Sequence, residues 1–174
     1  MVIIGIYDGH NSSATLSIDG EIICAVQEER FTKRKNEVGF PKHSIDYIMK
    51  KYSLNNNNID IVAMSTIQRS DLNNLNYPID AVFEIDDYID MMNNYWAPKL
   101  SGLPYSKDYA KQIFKEKFDS EKSFYKIPDT FYDLEREELQ DKISEIVVGS
   151  ISAYMDINKN KIRFYDHHTC HVMY

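Results

Sequence analysis

The chain has 174 residues, 43% of them apolar, and is long enough to bury one sizeable core. Its net charge of −7 argues against a nucleic-acid scaffold, because phosphate binding needs clustered positive charge, and the basic run Lys33-Arg34-Lys35 is short and follows Glu28-Glu29. Two cysteines, Cys24 and Cys170, give no disulfide framework and fit a reducing cytoplasm; no apolar run approaches the roughly 20 residues that span a bilayer, and the first residues lack the basic start and cleavage site of a signal peptide.

Val2–Tyr7 is short, rich in β-branched residues and closed by Asp8-Gly9, the pattern of a buried strand. Residues 13–18 read as a second strand. Asp19-Gly20, both tolerant of positive φ, read as a hairpin turn into a third strand over 21–26. The chain is therefore expected to open as a three-stranded antiparallel meander. A helix is expected over 41–52, with Pro41 at its start, Ile45, Ile48 and Met49 on one face, and a polar stop from Asn55 to Asn58. Residues 59–64 read as a fourth strand, parallel to its neighbour because a helix precedes it.

Residues 68–130 are rich in Tyr, Asn, Asp and Lys, with weak periodicity and scattered prolines. They are expected to form an insertion that covers or extends the core, with helices over 88–96 and 106–118. Its aromatics suit either a substrate pocket or the insertion's own small core, the second being the simpler reading. Over 134–154, Ile143, Ile146, Val147, Ile151 and Tyr154 recur at helical spacing. A fifth strand is expected over 161–165. The order βββ–α–β–α–β is that of one lobe of the actin/Hsp70/sugar-kinase superfamily, an α/β fold with a mixed five-stranded sheet. Topology of this kind says little about function.

Three of the five histidines fall in Asp166-His167-His168-Thr169-Cys170-His171. Asp166 suits the N-cap of a helix, or the orientation of an imidazole, and both roles stay open. His167 and His171, four apart, share a helix face and suit one metal ion; a helix N-terminus disfavours imidazolium and so keeps the ligand form. His168 lies on another face, suited to a place beside the ligands or toward substrate. Cys170 is off the shared face and suits packing more than ligation. Glu28-Glu29-Arg30 and Lys33-Arg34-Lys35 read as a solvated face with local ion pairs, Arg30 pairing with Glu28 or Glu29. The turn from Asp8 to Ser12 has the composition of an ordinary β-turn, and equally the close backbone approach and donors that a phosphate needs.

Several of these segments together resemble the NodU/CmcH/TobZ O-carbamoyltransferases. They are Tyr7-Asp8-Gly9-His10-Asn11-Ser12-Ser13-Ala14 with Asp19-Gly20, then Gln27-Glu28-Glu29-Arg30-Phe31-Thr32-Lys33-Arg34-Lys35 with Gly39-Phe40-Pro41, then Asp166-His167-His168 with His171. The likeness covers roughly the first 50 residues and the last 15. Asn11 stands where Asp is common in that family, and Asn36 where His is common. The resemblance implies a Kae1-like domain of the actin/Hsp70-like ATPase fold. Residues 1–174 would be its first lobe, a fragment cut after the histidine motif, with the second lobe and a YrdC-like domain in the rest of the polypeptide.

What the resemblance implies of function is ATP-dependent carbamoyl transfer: carbamoyl phosphate and ATP give carbamoyl-adenylate, and the carbamoyl group moves to a hydroxyl of a small-molecule acceptor. The fragment alone is expected to be inactive. By the same resemblance His10 and Lys35 are the expected catalytic residues, Gly9, Asn11 and Ser12 contact the cofactor, and His167 and His171 hold a divalent metal with carboxylates from elsewhere. Iron comes first for that metal, and zinc, manganese or nickel suit the same donors. Two rivals are a threonylcarbamoyl-type tRNA modification protein of the same fold, which the acidic charge disfavours, and a non-catalytic metal- or nucleotide-binding module. Expected partners are the acceptor, the remaining polypeptide and a second copy through exposed apolar surface. Nucleic acid and membrane are not expected, and the place is the cytoplasm.

Overall fold

A computed structural model describes residues 1–65, 85–105, 124–128, 130–131, 134 and 136–172. The helix expected over 106–118 lies outside them. The structure is an α/β fold built on a mixed five-stranded sheet in the order β3-β2-β1-β4-β5. Its strands are β1 (Val2–Tyr7), β2 (Ser13–Ile18), β3 (Glu21–Gln27), β4 (Ile61–Met64) and β5 (Ile162–Phe164). The first three form the antiparallel meander expected from the Asp19-Gly20 turn, with a register shift between Leu16 and Ser17. β4 and β5 run parallel to β1, which places β1 at the centre between the two kinds of pairing.

One face of the sheet makes the core. Register partners across it are Ile4 with Leu16 and Val62, Ile6 with Ala14 and Met64, and Val62 with Ile162, all buried. The alternation of a two-residue repeat brings them to the same side. Against them pack Ile45 and Ile48 of α2 (Lys42–Lys51) and Ile143, Val147, Ile151 and Met155 of α5 (Arg136–Met155). Burying each such side chain contributes about 1.5–3 kcal/mol before conformational entropy is counted. The Tyr154 hydroxyl of α5 donates to Asp46 Oδ1 of α2 at 2.5 Å, tying the two helices together. Phe40, just ahead of α2, stacks on Phe124 at 3.7 Å and meets Tyr125 and Tyr154 edge-on, so the Phe40-Pro41 pair anchors an aromatic cluster under the helix start.

Element boundaries differ from the sequence reading for local reasons. β4 begins at Ile61 because the Asp60 carboxylate turns back to accept the Val2 amide at 2.7 Å. β5 begins at Ile162 because Lys159–Lys161 forms a 3₁₀ turn, capped by the Asn158 side chain. A short helix not foreseen in the sequence, α1 (Glu29–Thr32), follows β3. The helix expected over 88–96 is longer: α3 (Ile85–Met91), one π-helical turn (Met92–Trp96) and α4 (Ala97–Leu100). The wider turn precedes Pro98, whose ring would clash with a carbonyl four residues back in a regular helix. Here Tyr95 packs edge-on against Trp96 and Tyr105, with the Lys99 ammonium over all three rings, so these aromatics pack on one another. No helix among the described residues is long and apolar enough to cross a membrane.

Candidate functional site

β1, β4 and β5 end side by side. Past their ends the Ser65 amide still donates to the Ile6 carbonyl at 3.1 Å, and the Tyr165 amide to the Met64 carbonyl at 2.7 Å. The chain beyond β1 is the Asp8–Ser12 turn, and beyond β5 is the histidine segment. Both motif-bearing segments therefore sit at the carboxyl edge of the parallel strands, the edge where open α/β sheets bind ligands.

In the turn, Asp8 is buried and its carboxylate accepts the Tyr125 hydroxyl. A Cβ on Gly9 would stand 2.5 Å from the Tyr7 hydroxyl oxygen, so the absence of a side chain there lets the Tyr7 ring lie against the turn. That phenol is held above its usual pKa, first by burial and then by the Asp8 carboxylate, and stays neutral near pH 7. His10 is exposed and pairs by a single antiparallel bridge with Val38. Asn11 adopts φ 63°, a left-handed conformation that asparagine tolerates better than most residues. Ser12 is buried. Its amide donates to the Glu37 carbonyl and its carbonyl accepts the Glu28 amide, both at 2.9 Å.

The following loop corrects one expectation. Glu28 does not lie on a solvated face; it is 1% exposed. Its carboxylate accepts the amides of His43 and Ser44, each at 2.8 Å, the Ser44 hydroxyl at 2.7 Å and His43 Nδ1 at 2.6 Å. Pro41 precedes α2 with no side chain able to cap, and Glu28 reaches over to satisfy the first-turn donors instead. Arg30 pairs with Glu29 at 3.5 Å, one of the two partners foreseen for it. Glu29 also accepts the Asn36 amide at 3.1 Å, across a loop with left-handed residues at Lys33 and Asn36. Lys35 is exposed in this loop, which the His10–Val38 bridge holds beside the turn. Arg34 Nε lies 3.3 Å from Glu37 Oε2, and Glu37 is buried.

Asp166 caps α6 (His167–Val172): its Oδ1 accepts the Thr169 amide at 2.7 Å and the Thr169 hydroxyl at 2.9 Å. Those bonds, the amide first, hold its carboxyl below the usual carboxylate range, with help from the neighbouring His168 and His167. The His167 ring stacks on Tyr7, centroids 5.3 Å apart and planes 6° from parallel, and His168 meets His167 edge-on. The structure thus brings the N-terminal turn and the first histidine into direct contact. His171 lies on α6 one turn beyond His167, in the register expected of a ligand pair, and its side chain is outside the described residues. Among the described residues no three His, Cys, Asp or Glu side chains gather as a metal site. His167 and His171, one turn apart on α6, do not by themselves complete a metal centre.

The family model described as carbamoyltransferase N-terminus matches residues 2–174. The chain belongs to that family. A segment of 50 residues is 54% identical to an uncharacterized protein of Methanocaldococcus jannaschii, covering 29% of this chain and 10% of that protein. Another of 53 residues is 40% identical to an uncharacterized protein of Synechocystis, covering 30% of this chain and 9% of that protein. The matched segments thus span about a tenth of each relative's length. Within the carbamoyltransferase N-terminal region, sequence reasoning missed Tyr7, Glu28, Glu37 and Tyr125. The signal for Glu28 and Tyr125 is long-range pairing, which no local pattern carries; that for Tyr7 was available in the glycine two residues on.

Proposed function

We propose that this carbamoyltransferase N-terminal region works in an enzyme that makes carbamoyl-adenylate from carbamoyl phosphate, water and ATP, with phosphate and pyrophosphate leaving, and passes the carbamoyl group to a hydroxyl of a small acceptor. Membership of the family supports carbamoyl transfer. The observation that carries the reading further is the Tyr7–His167 stack, which joins the His10 turn to the histidine helix at the carboxyl edge of the sheet. The sheet order β3-β2-β1-β4-β5, with β1 antiparallel to β2 and parallel to β4, supports the first lobe of an actin/Hsp70-like ATPase fold. The second lobe, the adenosine contacts and the remaining metal ligands would come from other parts of the full-length protein, which in this reading works in the cytoplasm.

In this reading His10 polarises or protonates the transferring group, and the Lys35 ammonium offsets negative charge on a phosphate or carbamoyl oxygen. Gly9 allows close backbone approach, and Asn11 and Ser12 line the same turn. His167 and His171 supply two imidazoles to a divalent ion, iron in first place, which when bound supplies Lewis-acid polarisation and a template for oxygens. In the transfer step the acceptor oxygen bonds to the carbamoyl carbon, the bond from that carbon to the adenylate oxygen breaks, AMP leaves, and the hydroxyl proton is released.

The test is carbamoyl-phosphate-dependent release of pyrophosphate from ATP by the full-length product. His10→Ala should lower it by about 10²–10⁴-fold, the range for a positioned acid or base. His171→Ala with activity equal to wild type would remove the metal role, and pyrophosphate release that ignores carbamoyl phosphate would remove the carbamoyl-adenylate route.

A further inference from the structure

Tyr7 and His167 meet where two ordered elements begin and end. Tyr7 is the last residue of β1 and pairs in register with Ser13, so the sheet fixes its backbone. His167 is the first residue of α6, whose start the Asp166 cap fixes. The alternation along β1 sends Tyr7 to the face opposite the buried Ile4 and Ile6, and its ring lies outside the apolar core. The ring is held from two sides instead. On one, a Cβ at Gly9 would stand 2.5 Å from the hydroxyl oxygen and 2.6 Å from Cζ, so the phenol fills the space that a side chain there would take. On the other, the ring covers one face of the His167 imidazole, with centroids 5.3 Å apart and planes 6° from parallel. His168 meets the same imidazole edge-on, at 5.8 Å between centroids.

A fixed backbone does not by itself aim an imidazole. The χ2 torsion of histidine is broad and roughly twofold, so the ring can turn about its own stem. The N–H and the lone pair of the two nitrogens lie in the ring plane, and whichever way the plane turns they turn with it. A phenol laid parallel to that plane closes one face and leaves the nitrogen-bearing edge clear of itself. We propose that Tyr7 is a positioning residue for His167: the stack sets the imidazole plane, and with it the direction in which His167 presents its nitrogens at the carboxyl edge of the sheet, while Gly9 keeps room for the phenol. The proposal rests on the reading of His167 as a site residue in carbamoyl transfer and adds the residue that aims it. Tyr7 acts through His167 and not by touching substrate.

Two readouts on the full-length product test this, one of geometry and one of rate. In metal-free protein with isotope-labelled histidine, the His167 ring signals are assigned as those missing in His167→Ala. They should be displaced from the signals of an exposed histidine by the Tyr7 ring current. Tyr7→Phe should keep the displacement, and Tyr7→Leu should remove it. In carbamoyl-phosphate-dependent pyrophosphate release per folded molecule, Tyr7→Phe should stay within about twofold of wild type and Tyr7→Leu should fall about three- to tenfold, the worth of one aromatic pair. Gly9→Ala, which displaces the phenol without removing it, should move the signals and lower the rate together. A merely structural residue would change the melting temperature and leave the His167 signals in place. Wild-type signals or a wild-type rate in Tyr7→Leu would overturn the proposal. So would a Tyr7→Phe protein as slow as Tyr7→Leu, since the hydroxyl and not the stack would then act. Should Tyr7→Leu fail to fold, wild-type signals and rate in Gly9→Ala would overturn the proposal equally. Wild-type release by His167→Ala would overturn it through the reading on which it rests, a case told apart by His167 signals that still follow Tyr7.

Discussion

The corner around Glu28 and the loop around Glu37 belong to one stretch of chain, and each buries a carboxylate. At the corner, both carboxylate oxygens are occupied by donors from the start of α2, and the residue knits Ser12, β3 and the helix into one piece. In the loop, one oxygen of Glu37 has an arginine close by and no hydrogen bond. Charge and burial are shared, so neither separates the two roles. What separates them is the count of satisfied acceptors: the first glutamate is held by four donors, and the second has one oxygen held by an ion pair alone.

Substitutions can break that contrast, the largest effect being expected at Glu28. Glu28→Ala strands the buried amide and hydroxyl of Ser44 and frees the part-buried His43 amide, and should cost about 3 kcal/mol in urea denaturation. A loss below about 1 kcal/mol would mean that the corner is held by something else. Gly9→Ala should cost about 1–2 kcal/mol by pushing the Tyr7 ring away. It should also shift the ring-proton resonances of His167, which Tyr7→Phe should leave nearly in place.

Asp166 gives a pH-dependent case. Its folded pKa lies below the unfolded value of about 3.9, so the cap is at full strength above that value and fades as pH falls through the lower folded one. Amide-exchange protection of Thr169 should therefore drop in Asp166→Ala at pH 7, and the gap to wild type should begin to close only below about pH 4. The smallest loss is expected at Ser12, where removal of a buried hydroxyl that has no partner should cost no more than about 0.5 kcal/mol and can raise stability. A larger loss would place an internal partner on Ser12 and erase the distinction between the corner and the loop.

Much of the fold was legible because it follows short periods. The Asp19-Gly20 hairpin, the alternation along β1 and the apolar face of α2 are all decided within a few residues. The Asp166 cap is of the same kind, its partner being three residues on. Glu28 was misread because a carboxylate in a charged run carries no mark of the amides it will meet 15 and 16 positions later. The pairing of Tyr7 with His167 was hidden likewise, since it spans nearly the whole chain. The histidine register was visible, and no fixed spacing marks further ligands for it.

The hydrogen bond between Tyr125 and Asp8 closes a loop of 117 positions. During synthesis β1 to β3 and α2 leave the ribosome long before Tyr125 does, and until then Asp8 keeps its water. The turn bearing His10 therefore acquires its final backing late. Closure entropy rises only with the logarithm of loop length, about 0.6 kcal/mol for each doubling. The number of residues joining β4 to Tyr125 therefore bears little on the cost of holding this contact, whereas β2, β3, α2 and β4, which lie inside the same loop, are fixed by the core they build.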